Sequence, residues 1–184
     1  MARYLIDASK SRVAIEARWS LHPIHTETVG LEGWLDLDVR DGRIRVDGAR
    51  GHVEFPVVKL KSGNAFEDKE LQRRIDARRF PIISGELEFI RENGASGHLV
   101  GGALTFRGVT QRYEDHVTIG VPDDSTVTVV GQSVFDIRDF KMDPPRLLML
   151  KVHPEVTVRI DVVADRQPDS DGPESDGPES DGKA

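Results

Sequence analysis

The chain has 184 residues, with 32 acidic against 25 basic side chains for a net charge of −7, and no cysteine. That length supports one domain with a core that needs no covalent staples. The composition excludes disulfides and thiolate metal sites, and it lacks the basic stripe of a nucleic-acid binder. The charge is uneven: residues 167–184 hold six acids against Lys183, a balance of −5, so the remaining body carries only −2.

In chain order, the opening residues lack the apolar core of a signal peptide, and no stretch approaches a membrane span, so a cytoplasmic protein is the expectation. Val13, Ile15, Ala17 and Trp19 alternate with Arg12, Ala14, Glu16 and Arg18, which predicts a strand with one buried face. A polar connection, His22-Pro23-Ile24-His25, follows. Val29, Leu31, Leu35, Leu37 and Val39 then share one parity, with Gly30 and Gly33 marking a bend or bulge. Asp41-Gly42 is a hairpin turn signal before Ile44 and Val46, and Val53, Phe55 and Val57 alternate beyond it.

Residues 62–81 form the one long run with helical spacing. Asn64 and Glu67 have the form of a capping box, acids fill the first turns and arginines the last, and Pro81 closes the segment. Its stripe of Phe66, Leu71, Ile75 and Phe80 is thin, which suits a single helix lying across the end of a sheet. Strand periodicity then resumes. Ile83, Leu87 and Phe89 share a parity, and Asn93-Gly94 is the strongest hairpin signal. Strands are also expected through Val100, Leu104 and Phe106, then Val117, Ile119 and Val121, then Val127, Val129, Ser133 and Phe135. Residues 138–151 read as a long loop carrying Met142, Leu147, Leu148, Met149 and Leu150, and a last strand covers Val156 to Ala164.

Seven to nine strands in hairpin order with one inserted helix make an all-β, antiparallel meander. Closure into a barrel removes its edges, and a sandwich is the competing arrangement. The domain spans residues 1–166. The repeating Ser-Asp-Gly-Pro-Glu tail, 167–184, holds nothing apolar and reads as disordered. No nucleophile elbow, P-loop or dinucleotide fingerprint is present. His22 and His25 have a metal-compatible spacing only on a helix, and Pro23 argues against one. No cofactor or metal is expected. Inward-parity aromatics (Trp19, Phe55, Phe89, Phe106, Phe135) interspersed with glycines and valines leave room for a small apolar ligand, and the Met/Leu cluster of the long loop suits an adaptable lid or a loop packed under the sheet.

Several ordered segments across residues 4–164 resemble the YceI-like family of lipocalin-like, polyisoprenoid-binding proteins. The opening YLIDASKSRVAIEARW matches the family's Tyr-x-Ile-Asp start. His25 stands eight residues before Gly33, DKELQRRIDARRFPIISGELEF matches a helix, Phe-Pro, strand block, and DFKMD matches a following loop. GGALTFRGVTQRYEDHV matches the Gly-x-Leu-Thr-x-x-Gly-Val-Thr segment, the most specific of these. The resemblance implies an antiparallel lipocalin-like barrel holding an isoprenoid chain in an apolar lumen, with His25 in the place of the family histidine; such binding needs a dry tunnel and one polar anchor at the mouth, for which His25 is the candidate.

The leading expectation is therefore a binding protein, not an enzyme, that carries or sequesters a long apolar ligand. Trp19, Phe89 and Phe135 are its wall candidates, Leu71 and Ile75 its helix contacts, and Met142 lies near its mouth. Two rivals stand beside it. One is an enzyme using His22 or His25 in a barrel chamber. The other is a ligand-free interaction module, forming a homodimer and recruiting a partner through the acidic tail.

Overall fold

The structure is a computed structural model that describes residues 1–19, 23–94, 97–144, 146–147 and 150–168, with backbone alone at 19, 23, 24, 146, 147 and 150–152. The acidic repeat from 169 onward, His22, Leu148 and Met149 lie outside the described residues, as do the side chains of Trp19, Leu147 and Leu150. The strands are β1 (Ala2–Ile6), β2 (Arg12–Trp19), β3 (Pro23–Val29), β4 (Glu32–Arg40) and β5 (Arg43–Pro56). After the helix α1 (Ala65–Ile75) come β6 (Ile82–Glu92), β7 (His98–Phe106), β8 (Val109–Asp123), β9 (Thr126–Asp136), the two-residue β10 (Arg146–Leu147) and β11 (Leu150–Arg166).

Hairpins build the sheet in the order β1-β4-β5-β6-β7-β8-β9-β11. Tyr4–Arg166, Leu5–Asp165 and Ile6–Ala164 pair β1 with β11 and close eight antiparallel strands into a barrel. A sandwich is thereby ruled out. β2 continues along the same edge of β11 where β1 leaves it, and β3 pairs with β2. The join is held by the Asp7 carboxylate, which accepts from the Ser9 amide at 2.9 Å and the Ser9 hydroxyl at 2.6 Å. Ser11 completes it by accepting at 3.0 Å from the Val163 amide.

Turn chemistry explains the register. Asp41 and Gly42 both hold positive φ (52° and 68°), the primed turn whose twist matches the flanking strands. Arg107 and Gly108 (49° and 71°) repeat it between β7 and β8. The Asn93 signal also holds: its amide donates to Gly97 at 3.0 Å as β6 turns into β7.

Four features depart from the sequence reading. β1 is an additional strand, and it is the one that closes the barrel. The polar connection at Pro23–His25 belongs to strand β3. Gly30, at φ 87°, breaks the run read as one strand, so Leu31, Leu35 and Leu37 are buried while Val29 is exposed. The 138–151 loop opens with a 3-10 turn (Ile137–Phe140) and folds β10 back on β11.

The Asn64 side chain caps α1, accepting from the Phe66 and Glu67 amides at 3.0 and 3.4 Å. The reciprocal half of the expected box is replaced: the Asn64 amide donates to Ser62 Oγ at 3.2 Å. Glu70 pairs with Arg74 at 2.8 Å, one turn on. The helix ends at Asp76 in the left-handed region (φ 58°), before Pro81 is reached. Ile75 is buried and Leu71 half-buried against the core, but Phe66 is 73% exposed. Two bonds tie this end of the barrel together: Arg107 donates to the Ile75 carbonyl at 3.3 Å and to the Lys141 carbonyl at 2.5 Å. The helix thus lies across one barrel end, as its thin stripe suggests.

Candidate functional site

Inside the barrel is a cavity of about 240 Å³. Its wall is formed by inward positions of β4 to β9 and β11, among them Leu35, Val53, Leu87, Val100, Val117, Val129, Phe135 and Ile160. Inward glycines open the space. A side chain at Gly131 would enter between Val117 and Ile160, and one at Gly85 would meet Val53 at 3.1 Å. Toward the helix end, an aromatic cluster narrows the lumen. Tyr113 meets Phe135 edge-on with ring centres 4.8 Å apart, and Phe106 meets Phe140 at 5.6 Å. The Tyr113 hydroxyl lies 3.4 Å from Asp139, and burial followed by that negative charge raises its pKa.

The residues singled out in the sequence do not form one cluster. Phe135 lines the cavity. Leu71, Ile75 and Met142 pack into the core at the helix end and are not part of the cavity wall. His25 is on the outer face, 67% exposed, with Nδ1 3.8 Å from Glu16 Oε2. Trp19 pairs through its backbone with Val152.

Phe89 is off the cavity wall because of a β-bulge. Leu87 pairs with Gly102 but Phe89 with Gly101, so one extra residue flips the alternation. Ile90 takes the inward place, buried and lining the cavity. The Phe89 ring covers Gly101, leaving no room there for a side chain, and the Arg91 guanidinium stacks 4.3 Å above it.

Sequence reasoning expected glycines to open the lumen without saying which ones, and it missed Tyr113 and Asp115 as lumen residues. The signal was there: Tyr113 and Asp115 precede Val117, Ile119 and Val121 at the same parity. Asp115 goes unnoticed because a carboxylate scores as outward. Among the described residues, no group of three or more His, Asp or Glu side chains is arranged to hold a metal ion. Among the described residues, no helix is long and apolar enough to cross a membrane.

A family model for the YceI-like domain matches residues 4–164. No curated protein matches the chain. Among solved structures, the chain is similar to BcnA of Burkholderia cenocepacia, with TM-score 0.74 and 16% identity over 86% of this chain and 98% of that one. It is also similar to a polyisoprenoid binding domain from Saccharophagus degradans implicated in plant cell wall breakdown, with TM-score 0.70 and 10% identity over 91% and 100% of the two chains. A third similar structure is the YCEI protein of Campylobacter jejuni, with TM-score 0.64 and 16% identity over 78% and 85%. At these identities the likeness to solved structures is one of fold.

Proposed function

The chain belongs to the YceI-like domain family, and from that premise we propose that its barrel binds an apolar, isoprenoid-like small molecule in the lumen, as a carrier or sequestering protein and not as an enzyme. The observation that carries the reading is the cavity itself: about 240 Å³ of space inside a closed barrel, walled almost wholly by apolar side chains and glycines. The polyisoprenoid binding named for the Saccharophagus domain points to the same ligand class. His25 lies outside the lumen, in a polar outer depression beside Glu16, Glu27 and Lys61, so it does not serve as an anchor for a ligand held inside the barrel.

The energetics fit a modest ligand. Ten buried methylenes contribute about 8 kcal/mol of transfer free energy, the scale of a micromolar dissociation constant before ordering costs are subtracted. The cavity is smaller than the roughly 300–1,000 Å³ that encloses drug-sized ligands. The lumen therefore holds a short chain whole, or one segment of a long chain whose remainder lies beyond the wall.

Filling the lumen tests this directly. Gly85→Leu places a side chain against Val53 in the cavity, and it is expected to abolish uptake of the apolar dye N-phenyl-1-naphthylamine while circular dichroism stays that of a folded β protein. Undiminished uptake by a folded Gly85→Leu protein would move the ligand out of the lumen.

A further inference from the structure

Building on the lumen reading, we propose that Asp115, with Ser133 beside it, is a polar subsite within the barrel that selects ligands whose head group donates a hydrogen bond, an alcohol or an amine. Plain hydrocarbons and phosphorylated chains are disfavoured there.

Two carboxylate residues line the cavity, Asp115 and Glu86. Glu86 faces outward: its carboxylate lies 2.5 Å from His52 Nδ1, and its side chain is more than half exposed. Asp115 stands on the inward parity of β8, between Tyr113 and Val117, opposite Val100 of β7. On the other side, Val117 pairs with Gly131. Extending that register by two residues sets Asp115 opposite Ser133, and by two more sets Tyr113 opposite Phe135, whose rings are in contact. Ser133 also lines the cavity. Both pair through their backbones in the sheet, but among the described residues neither the Asp115 carboxylate nor the Ser133 hydroxyl makes a side-chain hydrogen bond or ion pair.

Asp115 is half-buried, and its carboxylate opens onto cavity space in a wall that is otherwise mainly apolar, where an aliphatic side chain would fit the neighbouring residues better. Its oxygens accept hydrogen bonds and do not donate when ionised. A hydroxyl or ammonium head entering beside Asp115 satisfies them, and the Ser133 hydroxyl accepts or donates alongside. The apolar wall on both sides takes the chain. A phosphate head brings like charge beside the ionised carboxylate and is repelled. Asp115 and Ser133 thereby sort ligands by head group, while the aliphatic part of the wall is indifferent to it.

The test is competition against N-phenyl-1-naphthylamine on the full chain, with dodecanol, dodecylamine, dodecyl phosphate and dodecane. The wild-type protein is expected to bind the alcohol and the amine about tenfold or more tighter than the phosphate or the hydrocarbon, the scale of a hydrogen bond to a charged group. Asp115→Leu should erase that preference while dodecane binding holds or strengthens. Thermal unfolding of this variant should show a protein at least as stable as wild type. Ser133→Ala, a smaller change, should weaken alcohol binding and spare dodecane. Equal affinity for all four probes in wild type, or a preference that survives Asp115→Leu, overturns the subsite and leaves the lumen reading intact. Failure of every probe, dodecane included, overturns both.

Discussion

At the residue scale, a single extra residue decides which side chain meets the lumen. The bulge at Glu88 turns Phe89 outward and brings Ile90 in. Phe89→Ala is therefore expected to leave dye uptake unchanged and to cost stability through lost cover over Gly101, about 1–2 kcal/mol for a half-buried ring, read by chemical denaturation. Loss of uptake would show that the ring touches the ligand after all. Alternation alone cannot reveal a bulge, because the pattern Ile83, Leu87, Phe89 reads as unbroken. Phe135 was legible as a lumen residue because no bulge lies between it and Val129. A second residue-scale feature lies on the outer wall, where His52 Nδ1 is 2.5 Å from Glu86 and Nε2 is 3.4 Å from Glu54. Burial lowers the imidazole pKa, but the hydrogen bonds and charges of the two glutamates outweigh it and raise the pKa above its ordinary 6.5. A raised histidine pKa means stability fully present below that ordinary value and lost as pH rises through the folded value. The destabilisation caused by His52→Gln should accordingly be larger at pH 5.5 than at pH 9 when thermal unfolding is compared; equal losses at both would leave the pair without energetic weight.

At the element scale, the helix shows how far local chemistry carries. Asn64 caps it as its sequence suggests, so Asn64→Ala should lower stability by about 1 kcal/mol in urea unfolding. A change within error would mean that Ser62, which accepts from the Asn64 amide at 3.2 Å, holds the end by itself. The position of the far end was not legible, since Asp76 stops the helix by adopting a left-handed conformation that aspartate tolerates but does not announce. Phe66 misleads for a different reason: its spacing fits the stripe, but it is 73% exposed while Asp68, two residues on, is buried and accepts from Ser62. β1 was passed over because its five residues offer only Tyr4 and Ile6 as an alternating pair. Those two are among the buried residues of the core, and their strand closes the barrel. Short closing strands carry their meaning in the pairing, which no local pattern contains.

At the scale of the whole molecule, the sequence conveyed the all-β meander, the single helix and the closed barrel, because hairpin turns and period-two alternation are local signals that add up to a topology. The size of the lumen was not legible. It depends on which glycines face inward, and Gly85 and Gly131 reveal that only once register is known. A cavity of about 240 Å³ implies that chain length beyond what fits inside adds little affinity, so dodecanol and much longer alcohols should bind within about a factor of ten of one another, against the roughly 0.8 kcal/mol per methylene expected if every added carbon were buried. A steady gain with length would mean that the barrel widens as it fills. On the proposed reading, the lumen holds an apolar ligand. The most direct measurement is native mass spectrometry of the protein purified from its natural host, followed by solvent extraction and lipid analysis. An isoprenoid-like molecule bound at about one per chain, absent from Gly85→Leu prepared in the same way, is the expected result. A wild-type protein that emerges empty and takes up no added apolar ligand would contradict it.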